Sequence, residues 1–291
     1  MQVLSGDGRE VVAGNCGGDF GIAYRSAWRI IRMEKCYICG EETHFLVGKS
    51  TNLKASSCAK CGSALRCSDL VKCLLEELEI ENGKLSDVAT LKGQLSILNA
   101  SANGTVHNGL RKMDNYVGTE YIPGVESGKI MWCGIGSDDL LCMDLQKIPF
   151  EDNTFDIVIS EEVMEHIQDY NKALDEVYRV LKPGGIYIFT IPLMEGKKTQ
   201  SRIGKKKYYH GFAPQLYFVY TDFGDDIIEI LNMHGFEGEV RKPHVFYAIE
   251  SITDVDKEYD LDKEHPKFLR HNSCVLIARK SMERTDGKLL K

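Results

Sequence analysis

The stretch DLQKIPFEDNTFDIVISEEVMEHIQDYNKALDEVYRVLKPGGIYIFTIP, residues 144–192, carries the pattern that decides the fold. Two apolar runs within it, Phe155–Ile159 and Ile186–Ile191, predict buried strands. The segment between them has its apolar residues at helical spacing and ends at Lys182-Pro183-Gly184-Gly185, a typical helix stop. A strand, a helix and a second strand in this order predict two parallel strands joined by a crossover helix.

The same alternation continues on both sides of this stretch. Upstream, LSILNASANGTVHNG, residues 95–109, predicts a strand that passes through a small-residue turn into a helix, and NYVGTE, residues 115–120, predicts a second strand. Downstream, we expect a helix over residues 225–236 with Thr221-Asp222 as its cap, and a last strand over Cys274–Ala278. The sequence therefore predicts an α/β fold with a mostly parallel sheet and helices on both faces.

Composition narrows the class of protein further. The chain has 291 residues, 43% of them hydrophobic, which is enough for one large domain with an ordinary core. Its formal net charge of −7 disfavours a general attraction to nucleic acid or to an anionic membrane. No apolar run reaches the ~18 residues of a membrane span, and the N-terminus lacks a secretory signal pattern. We therefore predict a soluble, cytoplasmic protein.

A cysteine cluster precedes the predicted sheet. Cys36-x-x-Cys39 and Cys58-x-x-Cys61 have the spacing of a two-knuckle zinc site, and Gly40 and Gly62 follow the pairs where a tight turn is needed. Four protein ligands leave no open coordination position, so the predicted Zn²⁺ is structural. The alternative is four reduced cysteines without a metal. Cys67 and Cys73 are interpreted as thiols that pack a helix.

These features suggest a domain organisation in five parts. Residues 1–33 are rich in glycine and are expected to form a poorly ordered extension, with Met33 as a candidate translation start. We expect a zinc-ribbon-like module over residues 34–75 and a linker helix and turn over 76–94. The sheet domain is predicted over residues 95–280, followed by a tail over 281–291.

Residues 144–192 resemble the class I, Rossmann-like S-adenosylmethionine-dependent methyltransferases of the type 11 group. The resemblance rests on Asp144-Leu145, Phe155-Asp156, Glu165-His166 and the run Arg179–Gly185, which occur in the family's order and spacing. It extends over about residues 95–280. It implies a seven-stranded, mostly parallel sheet whose cofactor, S-adenosylmethionine, lies across the carboxyl ends of the strands.

The resemblance also implies a cofactor loop after the first strand, formed by Asn99, Ala100, Ser101, Asn103 and Gly104. The family usually has an acid at the position of Asn99 and glycines at the positions of Ser101 and Asn103. Small or αL-tolerant residues can keep the loop's shape, but the amide of Asn99 cannot supply the charge of the acid. The loop thus departs from the family pattern at three positions.

Further cofactor contacts are implied at the ends of the next strands. Glu120 corresponds to the carboxylate that binds the ribose hydroxyls, although a surface glutamate is the alternative. Asp144 and Leu145 correspond to the residues beside the adenine, although Asp144 is also suited to cap its turn. Ser160 and Glu161 line the cofactor side in relatives, and the alternative for both is ordinary helix capping.

Two histidines are candidates for a catalytic base that deprotonates the methyl acceptor. His166 follows the predicted strand 155–159, and His210 lies in the insertion that covers the acceptor in this fold. The same insertion carries a basic run, which either attracts a phosphorylated or acidic acceptor or forms a solvated loop. The run comprises Lys197, Lys198, Arg202, Lys205, Lys206 and Lys207.

We therefore predict a methyltransferase that acts on an oxygen or nitrogen of a glycan, a nucleotide-sugar or another small polar molecule. One alternative is a non-catalytic scaffold that binds a partner protein or RNA through the zinc module. Another is an RNA methyltransferase, which the overall acidity disfavours. The first loop lacks the glycines of a nicotinamide oxidoreductase. The sequence does not predict the oligomeric state.

Overall fold

The computed structural model describes most of the chain from Met33 onward. The described residues are 3–4, 10–11, 29–30, 33–47, 56–102, 104–132, 139–212, 215–244 and 273–282. The extension and tail predicted at the two ends therefore lie largely outside the described residues. Among those described, no helix is both long and apolar enough to cross a membrane.

An eight-stranded sheet forms the centre of the fold. Its strands in chain order are β1 (Ile97–Asn99), β2 (Tyr116–Glu120), β3 (Ile130–Trp132), β4 (Asp139–Cys142), β5 (Phe155–Glu161), β6 (Leu181–Thr190), β7 (Phe236–His244) and β8 (Ser273–Lys280). Their spatial order is β3-β4-β2-β1-β5-β6-β8-β7. Strands β4, β2, β1, β5 and β6 pair in parallel, whereas β8 is antiparallel to both of its neighbours.

This topology confirms the predicted Rossmann-like sheet of seven mostly parallel strands. The short strand β3 is an eighth member that pairs antiparallel with β4 at one edge. Strand order reverses between β1 and β5, and an open parallel sheet has its ligand crevice at such a point. The carboxyl ends of β1, β2, β4 and β5 therefore form the natural place for a site.

Within the described part of the chain, five α-helices cover the two faces of the sheet. They are α1 (Leu65–Glu77), α2 (Leu85–Leu91), α3 (Thr105–Leu110), α4 (Tyr170–Val180) and α5 (Ile227–Met233). In β5 the side chains alternate: Val158 joins the core beneath α4 and α5, and Ile157 and Ile159 join the core beneath α1, α2 and α3. This period of two follows from the strand geometry and gives the sheet two apolar faces.

Helix α1 packs directly on the sheet, and it crosses residue 75, where the sequence predicted the end of the zinc-ribbon-like module. Leu70 and Leu74 are fully buried in the same core as Val275 and Ile277 of β8. Glu77 at the end of the helix accepts hydrogen bonds from Arg241 of β7 and from Arg279 of β8. The helix is therefore tied to the antiparallel edge of the sheet by both apolar packing and ion pairs.

The segment between β6 and α5 contains short strands that the sequence pattern did not predict. They are Leu193–Met194, Gln200–Ser201, Tyr209–Phe212, Gln215–Phe218 and Thr221–Gly224. The prediction that Thr221-Asp222 caps a helix is wrong, because Thr221 pairs with Ser201 and Phe223 with Leu193 in a small sheet. Helix α5 begins only at Ile227, after Asp226.

Helix α4 also ends earlier than its sequence suggests. Its last residue is Val180, and Leu181 already pairs with Phe155 of β5. The register then shifts, so that Ile157 pairs with Ile186, and the intervening Pro183-Gly184-Gly185 accommodates the irregularity. Gly184 has a φ of 77°, which only glycine adopts without strain. The Pro-Gly-Gly sequence therefore lies within the irregular start of β6 and does not terminate α4.

The N-terminal part of the described chain is built from two-stranded and three-stranded pieces. Glu34–Lys35 pairs with Glu42–Thr43, and Phe45–Val47 pairs with Arg29–Ile30 and Ser57–Cys58. Two further dipeptides, Val3–Leu4 and Glu10–Val11, also pair. A small core joins these pieces to α1 through Phe45 and Leu65, both of which are fully buried.

Candidate functional site

The four predicted zinc ligands meet at one point. The sulfur of Cys36 lies 3.8 Å from that of Cys61, and the sulfur of Cys39 lies 3.9 Å from that of Cys58. All four sulfurs lie within 4.8 Å of one another. A tetrahedron of thiolates with Zn–S bonds of about 2.3 Å requires S–S separations of about 3.8 Å. The geometry of the cluster therefore fits a zinc ion.

Local backbone structure explains why the cysteines converge. Gly40 and Gly62 have φ values of 85° and 77°, and their amides donate to the carbonyls of Cys36 and Cys58. These are the left-handed turns that the spacing predicted. The amide of Cys61 also donates to the sulfur of Cys58, at 3.4 Å.

A second group of predicted residues lies at the carboxyl ends of the parallel strands. Glu120 ends β2, and its Oε2 is shielded from solvent without a hydrogen-bond partner in the described part of the chain. Burial raises the pKa of Glu120 to about 7, against a lowering by the Tyr121 amide. A shielded acceptor of this kind fits a ligand that brings hydroxyl donors.

The loop after β1 is compact and hydrogen-bonded. Asn99 is fully buried, and its Oδ1 accepts the amide of Ser101. The Ser101 hydroxyl accepts the amide of Glu161 at 2.8 Å, so this side chain turns towards the neighbouring strand β5. Ala100 is buried, Gly104 precedes α3, and Asn103 lies outside the described residues. The Ser101 side chain is therefore engaged by β5.

Asp144 and Leu145 follow β4 in a tight turn. The Asp144 carboxylate accepts the backbone amide and side-chain amide of Gln146, so it caps its own turn. Leu145 is buried in the main core. Tyr121, whose side chain is about half exposed, lies close enough to Asp144 for burial and the Asp144 charge to raise its pKa. The capping alternative is thus observed for Asp144.

Ser160 and Glu161, which end β5, point to opposite faces of the sheet. The Ser160 hydroxyl is fully buried and bonds the Tyr187 hydroxyl at 2.6 Å, which places this side chain in the core and away from the strand ends. The Glu161 Oε2 accepts the thiol of Cys67 at 2.8 Å. Cys67 is therefore more than a packing residue of α1.

The backbone just past β5 is strained. Glu162 has a φ of 55°, in the left-handed region that non-glycine residues seldom adopt. Strained residues of this kind cost about 1–3 kcal/mol and cluster at functional sites. The strain lies between Glu161 and the short 3₁₀ helix Met164–His166, where predicted cofactor and catalytic residues meet.

His166 is held in a defined tautomer by the insertion after β6. Its Nδ1 lies 2.9 Å from the carbonyl oxygen of Phe218, so Nδ1 carries a proton and donates it. In the neutral ring Nε2 then holds the lone pair, 3.7 Å from Oε1 of the buried Glu165. His210 is part of the strand Tyr209–Phe212, and the structure describes only the backbone at this position.

Tyr217 is a residue of this region that sequence reasoning missed. Its ring centroid lies 5.6 Å from that of His166. Burial and the charge of Glu120 raise its pKa, which places the phenol near both residues. No local signal marks Tyr217, because its neighbours come from distant segments.

The basic run predicted in this insertion is only partly exposed. Arg202 is buried against Asp222 at 2.8 Å, while Lys205, Lys206 and Lys207 are exposed.

Comparisons with known proteins agree with this architecture. Residues 103–189 match the family described as "Methyltransferase domain". The ubiquinone/menaquinone biosynthesis C-methyltransferase UbiE of Desulfotalea psychrophila is 44% identical over 61 residues, which are 21% of this chain and 24% of that protein. Phosphoethanolamine N-methyltransferase 2 of Caenorhabditis elegans is 38% identical over 87 residues, 30% of this chain and 18% of that protein.

Among solved structures, the [4+2]-cyclase SpnF is similar with a TM-score of 0.47 and 17% identity, over 77% of this chain and 85% of that one. The chain covers less than a quarter of the length of each of these two curated relatives. The matched segment contains β2 and β5, which end at the candidate residues Glu120 and Glu161, together with α4 and nearly all of β6. The sheet thus has the strand order and directions expected of a class I, Rossmann-like methyltransferase, and residues 103–189 within it match the methyltransferase family.

Proposed function

We propose that this protein is an S-adenosylmethionine-dependent methyltransferase with a structural zinc site. The observation that carries the proposal is Glu120: its shielded Oε2 lacks a partner among the described residues and stands at the end of β2, where the ribose is bound in this fold. The ionised carboxylate accepts hydrogen bonds from both ribose hydroxyls.

The first loop is compatible with a bound cofactor despite its missing glycines. Ser101 turns its hydroxyl towards the amide of Glu161 and is itself buried, so it does not project over the strand ends. Gly104 keeps the loop narrow at the start of α3. In this proposal Asn99 and Ala100 support the loop, and Asp144 and Leu145 border the adenine.

S-adenosylmethionine, when bound, supplies a methyl group on a sulfonium, and the chain's main task is to align an acceptor with it. We assign His166 the role of general base, with Nε2 taking the proton of the acceptor's hydroxyl or amine. The Phe218 carbonyl fixes the ring, and the nearby Glu165 carboxylate favours the imidazolium that forms. His210 remains the second candidate on sequence grounds.

Tyr217 gives this proposed acceptor site an aromatic wall beside His166. An aromatic face and a hydrogen-bonding edge suit a ring with polar substituents, such as a sugar or a nucleotide-linked sugar. The two curated relatives differ in acceptor by their names, one a C-methyltransferase and the other an N-methyltransferase. We therefore derive the acceptor class from the site: an oxygen or nitrogen nucleophile on a small polar molecule.

The zinc module is proposed to stabilise the fold. Its four sulfurs have the separations of a closed tetrahedral site, so no position is open for chemistry. An RNA acceptor is disfavoured further because Arg202, in the middle of the basic run, is paired with Asp222 inside the protein.

Calorimetry with S-adenosylmethionine tests the proposal directly. We expect the purified protein to bind, and Glu120→Ala to weaken binding by at least about tenfold through loss of charge-assisted hydrogen bonds. Formation of S-adenosylhomocysteine with a panel of glycans and nucleotide-sugars then identifies the acceptor. Absence of heat and of thermal stabilisation at millimolar cofactor would instead favour a non-catalytic scaffold.

A further inference from the structure

Two shielded polar atoms belong to α1 and to the end of β5. Nε of Arg66 and Oε1 of Glu161 are both shielded from solvent and have no hydrogen-bond partner within the residues that the structure describes. Oε1 also faces the loop, since a Cβ built on Gly104 would lie 3.5 Å from it. Burying a polar group lowers the stability of the fold unless a donor or acceptor forms a hydrogen bond with that group.

The two groups carry opposite charges and lie within electrostatic reach of each other. Burial and the charge of Glu162 raise the pKa of Glu161 overall, although the thiol of Cys67 and the charge of Arg66 act to lower it. Burial opposes the charge of Arg66, yet Cys67 and the carboxylates around it raise its pKa overall. Glu162 and Glu165 are among these carboxylates. A ligand that bears both a cation and an anion therefore matches this corner.

Glu161 is held so that only one of its oxygens remains available. Its Oε2 accepts the thiol of Cys67, and its backbone amide donates to the Ser101 hydroxyl. The neighbouring loop position Asn99 is neutral. Glu161 is therefore the carboxylate next to this loop that can balance a positive charge on the ligand.

We propose that Arg66 and Glu161 form an amino-acid clamp for the methionine part of the cofactor. The guanidinium of Arg66 binds its α-carboxylate, and Oε1 of Glu161 binds its α-ammonium group. Cys67 is a positioning residue that orients Glu161. This inference rests on the proposed function, and it makes the helix that follows the zinc module part of the cofactor site.

The test compares two ligands that share the adenosine but differ in the amino-acid part. S-adenosylhomocysteine has the α-carboxylate and α-ammonium, and 5′-methylthioadenosine has neither. We expect Arg66→Met and Glu161→Gln each to weaken S-adenosylhomocysteine by about tenfold or more, because each removes a charge-assisted hydrogen bond. Binding of 5′-methylthioadenosine by the same variants should stay within about twofold of the parent protein.

Glu120→Gln is the matched control, since a ribose contact should weaken both ligands equally. Retained binding of 5′-methylthioadenosine also shows that the clamp variants are folded. The clamp is overturned if Arg66→Met and Glu161→Gln leave S-adenosylhomocysteine unaffected, or weaken both ligands by the same factor. If the parent protein binds neither ligand, the proposed function itself fails, and this result is distinct from loss of the clamp.

Discussion

Some side chains of the candidate site can be identified from the sequence, and others can be identified only from the structure. Glu120 was identifiable because it ends a recognisable strand, NYVGTE. Arg66 and Cys67 were not, because the Cys67–Glu161 hydrogen bond joins residues 94 positions apart. Sequence periodicity reports which face of an element is apolar, but it does not report which polar groups meet across the fold.

Glu120 predicts a pH dependence of ligand binding. Since burial raises its pKa to about 7, the carboxyl group is largely neutral at pH 6 and largely ionised at pH 8. Only the ionised form accepts hydrogen bonds with both oxygens. The affinity for 5′-methylthioadenosine should therefore rise by about tenfold between about pH 6 and about pH 8, as measured by calorimetry.

The ligand in this experiment lacks an amino-acid group, so its own titration does not contribute. Glu120→Gln is the control, and its affinity should change little over the same range. An equal rise with pH in Glu120→Gln would assign the titration to another group.

The hydrogen bond from Cys67 to Glu161 leads to a second prediction, which concerns the affinity for S-adenosylhomocysteine. Cys67→Ala removes the donor that holds Glu161, so the affinity for S-adenosylhomocysteine should fall by roughly three- to tenfold. Cys67→Ser, which keeps a donor, should recover part of it. Cys73→Ala is the control, because Cys73 is equally buried on the same helix and lies in its apolar core. A similar loss in Cys73→Ala would point to packing instead.

Among the elements, those with strong periodicity were predicted and those that depend on distant pairing were not. Helix α4 and strands β5, β6 and β8 lie where the apolar pattern placed them, with ends shifted by a few residues. Thr221–Gly224 was misassigned because its strand character comes from Leu193–Met194 and Gln200–Ser201, about 20 to 30 residues away. An isolated Thr-Asp pair carries a capping signal that tertiary pairing overrides.

The contact between α1 and the sheet edge predicts that substitutions of two adjacent glutamates, Glu76 and Glu77, change the free energy of unfolding by different amounts. Glu77 is largely buried between Arg241 and Arg279, whereas Glu76 is half exposed and 3.2 Å from Arg241. Glu77→Gln should lower the free energy of unfolding by about 1–3 kcal/mol, because two arginines lose their charged partner. Glu76→Gln should cost less than about 0.5 kcal/mol. Urea denaturation measures both, and equal effects would argue against a structural role for the pair.

At the scale of the whole molecule, the zinc module and the sheet share helix α1. Leu65, its first residue, packs against Cys36, Phe45 and Cys58, while its later turns lie on β8. The four-cysteine cluster therefore supports the first turn of α1, which carries Arg66 and Cys67. This packing connects a module that looks separate in sequence to the proposed cofactor site.

Zinc removal tests this connection. Elemental analysis should find one zinc per chain, and Cys36→Ser with Cys58→Ser should abolish it and lower the melting temperature. Because the first turn of α1 then loses its support, affinity for S-adenosylhomocysteine should fall further than affinity for 5′-methylthioadenosine. Full zinc loss without any change in the ratio of the two affinities would separate the module from the clamp.

The hydrogen bonds between Glu77 and Arg279 join residues 202 positions apart, which has a consequence for synthesis on the ribosome. The cysteine knuckles close within 25 residues and can assemble as soon as they emerge. The apolar side of α1, in contrast, packs on both β6 and β8, so its cover is complete only after β8 has left the exit tunnel. Part of this apolar helix surface therefore stays exposed on the nascent chain until the last strand is made, and we expect chaperones that bind such surfaces to recognise it.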